Sequence, residues 1–374
     1  MIKLSVIIPA RNEFPNIVHT IYSIWHCWEA EKQNPDELEI IIVDNCSNDD
    51  KWPQRGTGGT SSYLFGRGAF WSRKLRIIFD PIAGNHSARN KGVAIARGKY
   101  VFFSDAHMAY KPGFFTEMQR ACDESGGLVH GAVQWIGAYP PNDQSAGFGY
   151  SIKLGEEIKG TWNNYKIADD WFYVPAQGHW GVFALKEQFE DFGGYPKVHR
   201  CYGGGEFYTD IKYWMFGSCV VTNPRAVGYH LSAGRGYSYN HDDYLENVLG
   251  IAYALGMDDW RERTYINWLR KGRKDVLDRI MARGEREYQP DREFVSSRKV
   301  KAFNELLAER PWDVKNKERH GSSYGALTIF HDTWLELLKS APEQARVAYE
   351  NSKYQKGLEE FINTNLGQFV YKRK

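Results

Sequence analysis

The sequence predicts an α/β fold in which a mostly parallel sheet carries helices on both faces, followed by a helical C-terminal extension. In the first third of the chain, short apolar runs alternate with segments of helical spacing. The runs are apolar at successive positions, which is typical of parallel strands covered on both faces. After about residue 241 the apolar positions recur at helical spacing.

The predicted elements follow in order along the chain. The first strand is KLSVIIPA, and Ile17, Ile21, Ile24 and Trp25 then mark a helix. Further strands are predicted in LEIIIVDN, KLRIIFD and KYVFFSD, and a helix in SARNKGVAIARG. Strands separated by helices form a doubly wound sheet, which binds ligands beyond the carboxyl ends of its strands. The polar strand ends at residues 9–13, 44–49 and 105–107 are therefore expected to share one crevice.

Two regions are predicted, 1–240 as an α/β domain and 241–374 as a helical C-terminal region. Residues 51–70 are rich in Gly and Ser and are interpreted as a flexible insertion, and residues 136–151 form a second irregular stretch. C-terminal helices are predicted in DDYLENVLGIAYALG, RTYINWLRKGRKDVLDRIMARG and HDTWLELLKSAPEQARVAYENSKY.

Composition indicates a soluble globular protein, with 42% hydrophobic and 25% charged residues. The N-terminus lacks the pattern of a signal peptide and no run of apolar residues is long enough to span a bilayer, so a cytoplasmic protein is expected. Five cysteines without a CxxC pair fit a reducing compartment and argue against a zinc knuckle.

Charge is distributed unevenly along the chain. Residues 261–374 carry 24 Lys and Arg against 17 Asp and Glu, a net charge of +7, whereas residues 1–260 have a net charge of −5. A solvated helical face explains such a basic region more often than a polyanion site does, but nucleic acid stays open as a partner.

The stretch FFSDAHM presents Asp105 and His107 two positions apart at the end of a strand. Residues i and i+2 of an extended chain project to the same side, so both side chains can face one point. A carboxylate and an imidazole suit Mn²⁺ or a similar ion that also binds phosphate oxygens. Alternatively, Asp105 caps the following turn and His107 is an ordinary loop histidine.

Three glycines, 203–205, precede Glu206. Without side chains the backbone can approach a ligand closely and the carboxylate can point into a pocket. Alternatively, Glu206 simply begins a helix, where an acidic residue suits the helix dipole.

The order of these motifs resembles a known family. SVIIPARNE, IIIVDNCSND, ARNKGVAIARGKYVFFSDAH, GVFALKEQFEDFGGYP, GGGE and VGYH look like successive landmarks of GT-A fold nucleotide-sugar glycosyltransferases. The resemblance is to the polypeptide N-acetylgalactosaminyltransferases and to family 2 glycosyltransferases, over roughly residues 2–240. It implies that residues 1–240 form a GT-A catalytic domain, with residues 241–374 as a candidate acceptor-binding region.

The resemblance implies roles for individual residues. Asp105 and His107 would form an Asp-x-His metal motif, with His230 as the third ligand of Mn²⁺ or Mg²⁺. Arg89 would lie near the diphosphate, and Asp44 would accept from the uracil ring. The implied nucleotide-sugar site comprises Pro9, Arg11, Glu13, Asp44, Arg89, Asp105, Ala106, Trp180 and Gly181.

Two further residues are implied to be catalytic. Arg235 lies in a polar loop where the polypeptide enzymes have a mobile lid with a diphosphate-binding arginine; the alternative is an exposed loop. Glu206 would be a general base in an inverting enzyme, or would help to hold donor or acceptor in a retaining one. The Asp-x-His motif favours retention.

The implied function is transfer of a sugar from a UDP-sugar to a hydroxyl of a macromolecule. A protein Ser or Thr is slightly favoured as acceptor, and a hydroxymethylated DNA base is the alternative suggested by the basic C-terminal region. A non-catalytic binding module on a degenerate transferase fold is a further alternative. The chain lacks the repeated Gln-x-Trp signature of the lectin domain and a membrane anchor, which favours a bacterial cell or a phage-infected host.

Overall fold

The computed structural model describes most of the chain up to residue 322. The described residues are 1–49, 59–60, 64, 75–136, 146–154, 158–163, 166–231, 238–270, 272, 274–322 and 329–330. Most of the predicted insertion at 51–70, the middle of the irregular stretch at 136–151 and the last predicted helix at 331–354 lie outside them.

A large mixed sheet forms the centre of the fold. The strands are β1 Leu4–Ala10, β2 Leu38–Asp44, β3 Leu75–Phe79, β4 Tyr100–Ser104, β5 Met108–Tyr110, β6 Leu128–Ile136, β7 Ala146–Gly147, β8 Tyr150–Leu154, β9 Ile158–Trp162, β10 Phe172–Tyr173, β11 Gly181–Leu185, β12 Val220–Leu231 and β13 Ile329–Phe330. The main path of the large sheet runs β10-β12-β6-β11-β4-β1-β2-β3, with β5 paired to β12 and β7 to β6, and a smaller sheet has the order β13-β8-β9.

Helices lie around the sheet and continue beyond it. They are α1 Asn16–Ala30, α2 Asn85–Ile95, α3 Phe114–Ser125, α4 Lys186–Asp191, α5 Gly205–Met215, α6 His241–Ala254, α7 Asp258–Arg270, α8 Lys274–Arg298, α9 Phe303–Glu309 and α10 Pro311–His320. The predicted α/β class with a helical C-terminal region is therefore confirmed. Among the described helices none is both long and apolar enough to cross a bilayer.

The first half of the sheet is parallel, as predicted. Strands β3, β2, β1 and β4 pair in parallel, and every residue of β2 and β4 is buried. These are the strands whose sequence is apolar at successive positions, because both of their faces are covered. Beyond β4 the sheet is mixed: β11 runs antiparallel to both β4 and β6, and β12 then pairs in parallel with β6.

The helices after residue 240 pack against one another and against the sheet domain. Helices α6 and α8 pack together along their length. Tyr208 of α5 donates a hydrogen bond of 3.1 Å to Asp291 of α8, and both residues are buried. Helix α6 begins at the predicted boundary, although the division into two domains stays a prediction.

Candidate functional site

A cleft of about 770 Å³ opens at the carboxyl ends of β1 and β4. This is the edge at which a doubly wound sheet binds its ligands. Two of the three polar strand ends, at residues 9–13 and 105–107, line the cleft. From the third, at residues 44–49, Asn45 lines it. The predicted site residues that line it are Pro9, Arg11, Glu13, Arg89, Asp105, Ala106, His107, Trp180, Glu206 and His230.

Strand pairing brings the three predicted metal ligands together. Asp105 and His107 follow β4, and β5 begins at the next residue. Strand β5 pairs antiparallel with the end of β12, so that His230 lies opposite Met108. The backbone N–H of Leu231 also donates to the carbonyl of His107 at 3.1 Å. Residues 123 positions apart in the sequence therefore share one edge of the sheet.

The donor atoms of these residues converge. Nε2 of His107 lies 3.2 Å from Nε2 of His230, which lies 3.6 Å from Oδ2 of Asp105. Each residue offers one ligand atom, and all three atoms lie within 4.8 Å of one another. Two imidazoles and one carboxylate suit a divalent transition metal such as Mn²⁺.

Glu13 determines how His107 can bind a metal. Its Oε2 lies 3.1 Å from Nδ1 of His107, and we assign the proton of the imidazole to Nδ1, which donates to the carboxylate. The lone pair of Nε2 then points toward His230 and Asp105. A carboxylate behind a ligating histidine is a common way to fix its tautomer and ring orientation. Glu13 therefore supports the predicted ligand His107, whereas the sequence suggested only a role in nucleotide binding.

Arg89 is a buried cation in the wall of the cleft. It lies on α2, its side chain is 2% exposed, and its Nη2 donates to Oδ1 of Asp105 at 3.1 Å and to the carbonyl of His179 at 2.6 Å. Burial opposes ionisation of Asp105, but the hydrogen bond with His230 and the charge of Arg89 outweigh it and lower the pKa of Asp105 to about 2. The carboxylate is therefore ionised at neutral pH.

Glu206 lies at the start of α5 and lines the same cleft as the three predicted ligands. A Cβ atom at Gly205 would lie 2.4 Å from the ring of His86, so glycine is required where the turn passes this buried histidine. Burial raises the pKa of Glu206 to about 7, and Asp105 adds to the effect, while Arg89 and the backbone N–H of His179 oppose it. At neutral pH Glu206 can therefore both accept and give up a proton.

Aromatic rings form another wall of the cleft. Trp180 is 3% exposed and its indole packs on Gly228, where a Cβ would lie 2.2 Å from the ring. Its backbone carbonyl accepts from the N–H of Asp105 at 2.9 Å, which holds this residue beside the end of β4. Trp162 packs edge-on against Trp135 and Tyr150, with ring centroids 5.1 and 4.4 Å away.

Some predicted site residues lie elsewhere. Asp44 is fully buried below the cleft, and its Oδ1 accepts from the backbone N–H of Ser47 at 3.2 Å. Gly181 is buried in β11, where it pairs with Ser104 rather than lining the cleft. The predicted lid arginine, Arg235, falls outside the described residues, so its role stays a prediction.

A second cluster of similar composition lies beneath the cleft. His130, His179 and Asp210 are fully or almost fully buried. His179 donates from Nε2 to Oδ1 of Asp210 at 3.0 Å, and its Nδ1 lies 2.9 Å from the hydroxyl of Tyr195. The other oxygen of Asp210 accepts from the backbone N–H of Gln177 at 2.7 Å. Burial lowers the pKa of His179 to about 4, although Asp210 opposes the shift.

No local sequence pattern indicated this cluster, and of the aromatic wall only Trp180 was among the predicted site residues. Asp210 follows Glu206 by one helical turn, so both project from the same face of α5. That spacing was the one sequence signal that could have linked Asp210 to Glu206. It is informative only after a helix has been predicted over these residues. His130 and His179 come from segments with no motif, and only the sheet order brings them to Asp210.

Comparison with known families gives one match. The model of the family described as "Glycosyl transferase family 2" matches residues 5–172. The matched segment contains the first strand end and the Asp105–His107 pair, and it ends before Glu206 and His230. No curated protein matches the chain.

Solved structures share the fold at low sequence identity. The crystal structure of GalNAc-T7 with UDP, GalNAc and Mn²⁺ has a TM-score of 0.60 and 16% identity, over 84% of this chain and 57% of that chain. The mannosyltransferase PcManGT from Pyrobaculum calidifontis, in complex with GDP-Man and Mn²⁺, has a TM-score of 0.45 and 17% identity, over 95% and 82%. S. aureus TarS 1-349 in complex with UDP has a TM-score of 0.44 and 16% identity, over 67% and 64%. At this identity the likeness to GalNAc-T7 establishes the fold, and the chain spans little more than half of that protein's length.

Proposed function

We propose that this chain, a glycosyltransferase by its family match and a GT-A protein by its fold, transfers a sugar from a UDP-sugar to a hydroxyl of a macromolecule in a metal-dependent reaction. One observation carries the proposal: Asp105, His107 and His230 converge in the cleft next to the buried cation of Arg89. Such a grouping of metal ligands and a guanidinium suits the diphosphate of a nucleotide sugar.

The transfer exchanges two bonds at one carbon. The bond from the anomeric carbon to the β-phosphate oxygen breaks, and its electron pair leaves with UDP. A bond from the acceptor oxygen to the anomeric carbon forms, and the acceptor proton is released. Negative charge therefore accumulates on the diphosphate, and a fixed cation such as Arg89 stabilises it without reorganisation.

The metal site fits a divalent cation by its donor set. Asp105, His107 and His230 would hold the ion, and Glu13 would keep His107 in the ligating tautomer. When bound, Mn²⁺ or Mg²⁺ supplies Lewis-acid stabilisation of the departing phosphate.

We propose that the reaction retains the configuration of the anomeric carbon, as the resemblance of the Asp-x-His motif suggests. In that case the leaving phosphate takes the acceptor proton, and Glu206 positions the acceptor hydroxyl. The pKa of Glu206 of about 7 is also compatible with a general base in an inverting enzyme. The anomeric configuration of the product, determined by NMR, separates the two mechanisms.

Two acceptors are in question. A protein Ser or Thr is slightly favoured by the resemblance, and a hydroxymethylated DNA base is the alternative suggested by the basic C-terminal region. The fold alone does not exclude a non-catalytic binding module, but a module would not need an ionised Asp105 held between a buried arginine and two imidazoles.

The test is release of UDP from a panel of UDP-sugars with Mn²⁺ present. We expect release by the unaltered chain and a loss of about 1,000-fold in Asp105→Ala, corresponding to about 4 kcal/mol of transition-state stabilisation. Tyr22→Ala, an exposed change on α1, is the control for handling and stability. UDP release that is absent with every donor, or that survives in Asp105→Ala, would contradict the proposal.

A further inference from the structure

A loop of residues 199–204, here called the cleft loop, leads into helix α5 and forms part of the wall of the cleft. Cys201 and Tyr202 line the cleft, and Glu206 follows in the first turn of α5. The backbone of Cys201 also pairs with that of Gly84, just before α2. The position of the cleft loop therefore determines where Tyr202 and Glu206 lie in the cleft.

Helix α6 of the C-terminal region holds the cleft loop through one buried side chain. Oδ1 of Asn247 accepts from the backbone N–H of Arg200 at 2.9 Å. Its Nδ2 donates to the carbonyls of Arg200 and Tyr202, at 2.8 and 2.9 Å. Asn247 is fully buried, and the backbone of the cleft loop engages both polar atoms of its side chain. A primary amide offers this combination of two donor hydrogens and an acceptor oxygen.

Glycines in the cleft loop allow α6 to approach it closely. Gly203 and Gly204 have φ angles of +119° and +73°, in the region that favours glycine. A Cβ at Gly203 would lie 2.3 Å from the ring of Tyr244, and a Cβ at Gly204 would lie 3.1 Å from Cδ1 of Ile251. Both of these side chains belong to α6. At these two positions the missing side chains therefore make room for the helix.

An ion-pair network adds a second link between the cleft loop and the C-terminal region. Nε of Arg200 lies 3.0 Å from Oε1 of Glu246 on α6, and its Nη2 lies 3.1 Å from Oε2 of Glu287 on α8. The side chain of Arg200 is 26% exposed. Partly exposed ion pairs contribute less to stability than a buried, hydrogen-bonded amide does. The amide of Asn247 is therefore the stronger of the two links.

A second buried asparagine binds the C-terminal region to the sheet in the same way, but away from the cleft. Nδ2 of Asn316 on α10 donates to the carbonyl of Tyr173 at 2.8 Å, and its Oδ1 accepts from the N–H of Tyr173 at 2.9 Å. Asn316 is fully buried as well, and Tyr173 belongs to the edge strand β10 and does not line the cleft. Of the two asparagines, Asn247 is the one that holds a segment of the cleft wall.

We infer that Asn247 is a positioning residue, which through the cleft loop holds Tyr202 and Glu206 in their places in the cleft. The inference rests on the proposed function, in which Glu206 positions the acceptor hydroxyl. Without the amide, two carbonyls and one N–H of the loop lose their partner inside the protein, and the loop must move for them to reach water. Helix α6, which lies beyond the match to the family model at residues 5–172, is thus part of the reactive cleft.

The experiment compares Asn247→Ala with Asn316→Ala in the full chain, and hydrogen exchange followed by mass spectrometry reports the state of the loop. In Asn247→Ala we expect the amides of residues 199–206 to exchange about tenfold faster, because the N–H of Arg200 has lost its acceptor. In Asn316→Ala the faster exchange should instead appear at residues 172–174, where the N–H of Tyr173 has lost its acceptor.

Release of UDP from the panel of UDP-sugars with Mn²⁺ measures the consequence for the reaction. Water takes the place of the acceptor hydroxyl in this assay, so the rate depends on the position of Glu206. We expect kcat per folded molecule to fall about 10- to 100-fold in Asn247→Ala and to stay within about twofold in Asn316→Ala. The dissociation constant of Mn²⁺ should stay within about twofold in both variants, because the predicted ligands lie on other segments.

Arg200→Ala tests the same loop through a partly exposed side chain, whose replacement the fold tolerates. We expect kcat to fall about threefold, because the weaker of the two links is lost. Its control is Arg292→Ala, which removes an ion pair of 2.8 Å with Asp258 inside the C-terminal region and should leave kcat unchanged. If Asn247→Ala does not fold, this pair of variants decides, and equal kcat values in the two would overturn the inference.

Three outcomes contradict the inference and can be told apart. Exchange at residues 199–206 that is no faster in Asn247→Ala than in the unaltered chain overturns it. Faster exchange together with the same kcat as in Asn316→Ala also overturns it, because Asn247 would then stabilise the fold without positioning Glu206. In both cases the proposed function stands. If the unaltered chain cleaves no UDP-sugar, the proposed function fails and the inference fails with it.

Discussion

Two clusters of one aspartate and two histidines lie close together in this protein and differ in what surrounds them. In the cleft cluster, Asp105, His107 and His230 are each between 22% and 27% exposed. In the buried cluster, His130, His179 and Asp210 have no solvent-exposed side-chain surface. The residue types are the same, so the difference in behaviour must come from burial and partners.

The buried cluster is a hydrogen-bond network around Asp210 that leaves out His130, whose two ring nitrogens are buried without a hydrogen-bond partner among the described residues. Both oxygens of Asp210 are engaged, and the neighbouring imidazole of His179 uses both ring nitrogens. Imidazoles and burial act in opposite directions on Asp210, and the imidazoles lower its pKa to about 2. In the cleft cluster the nitrogens of His107 and His230 face each other, which suits a cation between them. Complete burial around an engaged carboxylate distinguishes the buried cluster, and partial exposure with converging donor atoms makes the cleft cluster the candidate site.

The two clusters are joined through His179. Its side chain binds Asp210, while its backbone carbonyl accepts from Arg89 and its backbone N–H donates to Glu206. The buried cluster therefore holds the turn before β11, which contacts both the cation and the carboxylic acid of the cleft. In this way it helps to position those two groups.

The largest expected effect is on the free energy of unfolding of the protein when the buried cluster is changed. Asp210→Ala leaves His179 and the N–H of Gln177 without their acceptor, and we expect the free energy of unfolding to fall by about 3–5 kcal/mol. His230→Ala removes a partly exposed side chain and should cost no more than about 1 kcal/mol. Urea unfolding at pH 7 without divalent cations measures both values. Equal losses in the two variants would remove the distinction between the clusters.

The second expected effect is on the affinity for Mn²⁺. Here a change in the cleft cluster should have the larger effect and a change in the buried cluster the smaller. His230→Ala should weaken binding of Mn²⁺ by about 10- to 100-fold, a loss of about 1.4–2.7 kcal/mol, because one of three ligands is gone. His130→Gln, the matched change in the buried cluster, should leave the dissociation constant within about twofold. Titration of Mn²⁺ followed by electron paramagnetic resonance gives both constants without any turnover. Weaker binding in His130→Gln alone would move the metal to the buried cluster.

The sequence predicted the cleft cluster better than the buried one, for a physical reason. Asp105 and His107 are close in the chain and follow a recognisable strand, and His230 was added through the resemblance. Its position depends on the pairing of β5 with β12, which no local pattern specifies. The mixed half of the sheet was missed although it holds the two longest strands, β6 with 9 and β12 with 12 residues. No local pattern indicates that β11 runs antiparallel between β4 and β6. Asp210, His130 and His179 meet only in that half.

Asp44 shows the limit of reading a site from strand ends. It ends β2 as predicted, yet it is fully buried, accepts from the backbone N–H of Ser47 and is not among the residues that line the cleft. A strand end specifies the edge of the sheet but not the direction of each side chain. The role inferred from the resemblance for Asp44 therefore stays a prediction, while the cleft itself formed where the topology required it.

The smallest expected effect is on the pH dependence of stability, to which two carboxyl groups of α5 contribute with opposite sign. Glu206 faces the cleft and its pKa is raised to about 7, whereas Asp210, one turn later, has a pKa of about 2. A raised pKa favours the protonated folded state, so the contribution of Glu206 is present at low pH and is lost as pH rises from about 4.5 through 7. Asp210 has the opposite sign, and its contribution is lost only when pH falls from about 4 toward 2.

Glu206→Gln cannot ionise, so at pH 8 without divalent cations it should be more stable than the unaltered chain by about 1 kcal/mol, allowing for solvent screening at the cleft. At pH 5 the difference should nearly vanish, because Glu206 is then largely protonated when folded. Urea unfolding at both pH values measures it, and a variant no more stable at pH 8 than at pH 5 would show that Glu206 is solvated like an ordinary surface glutamate.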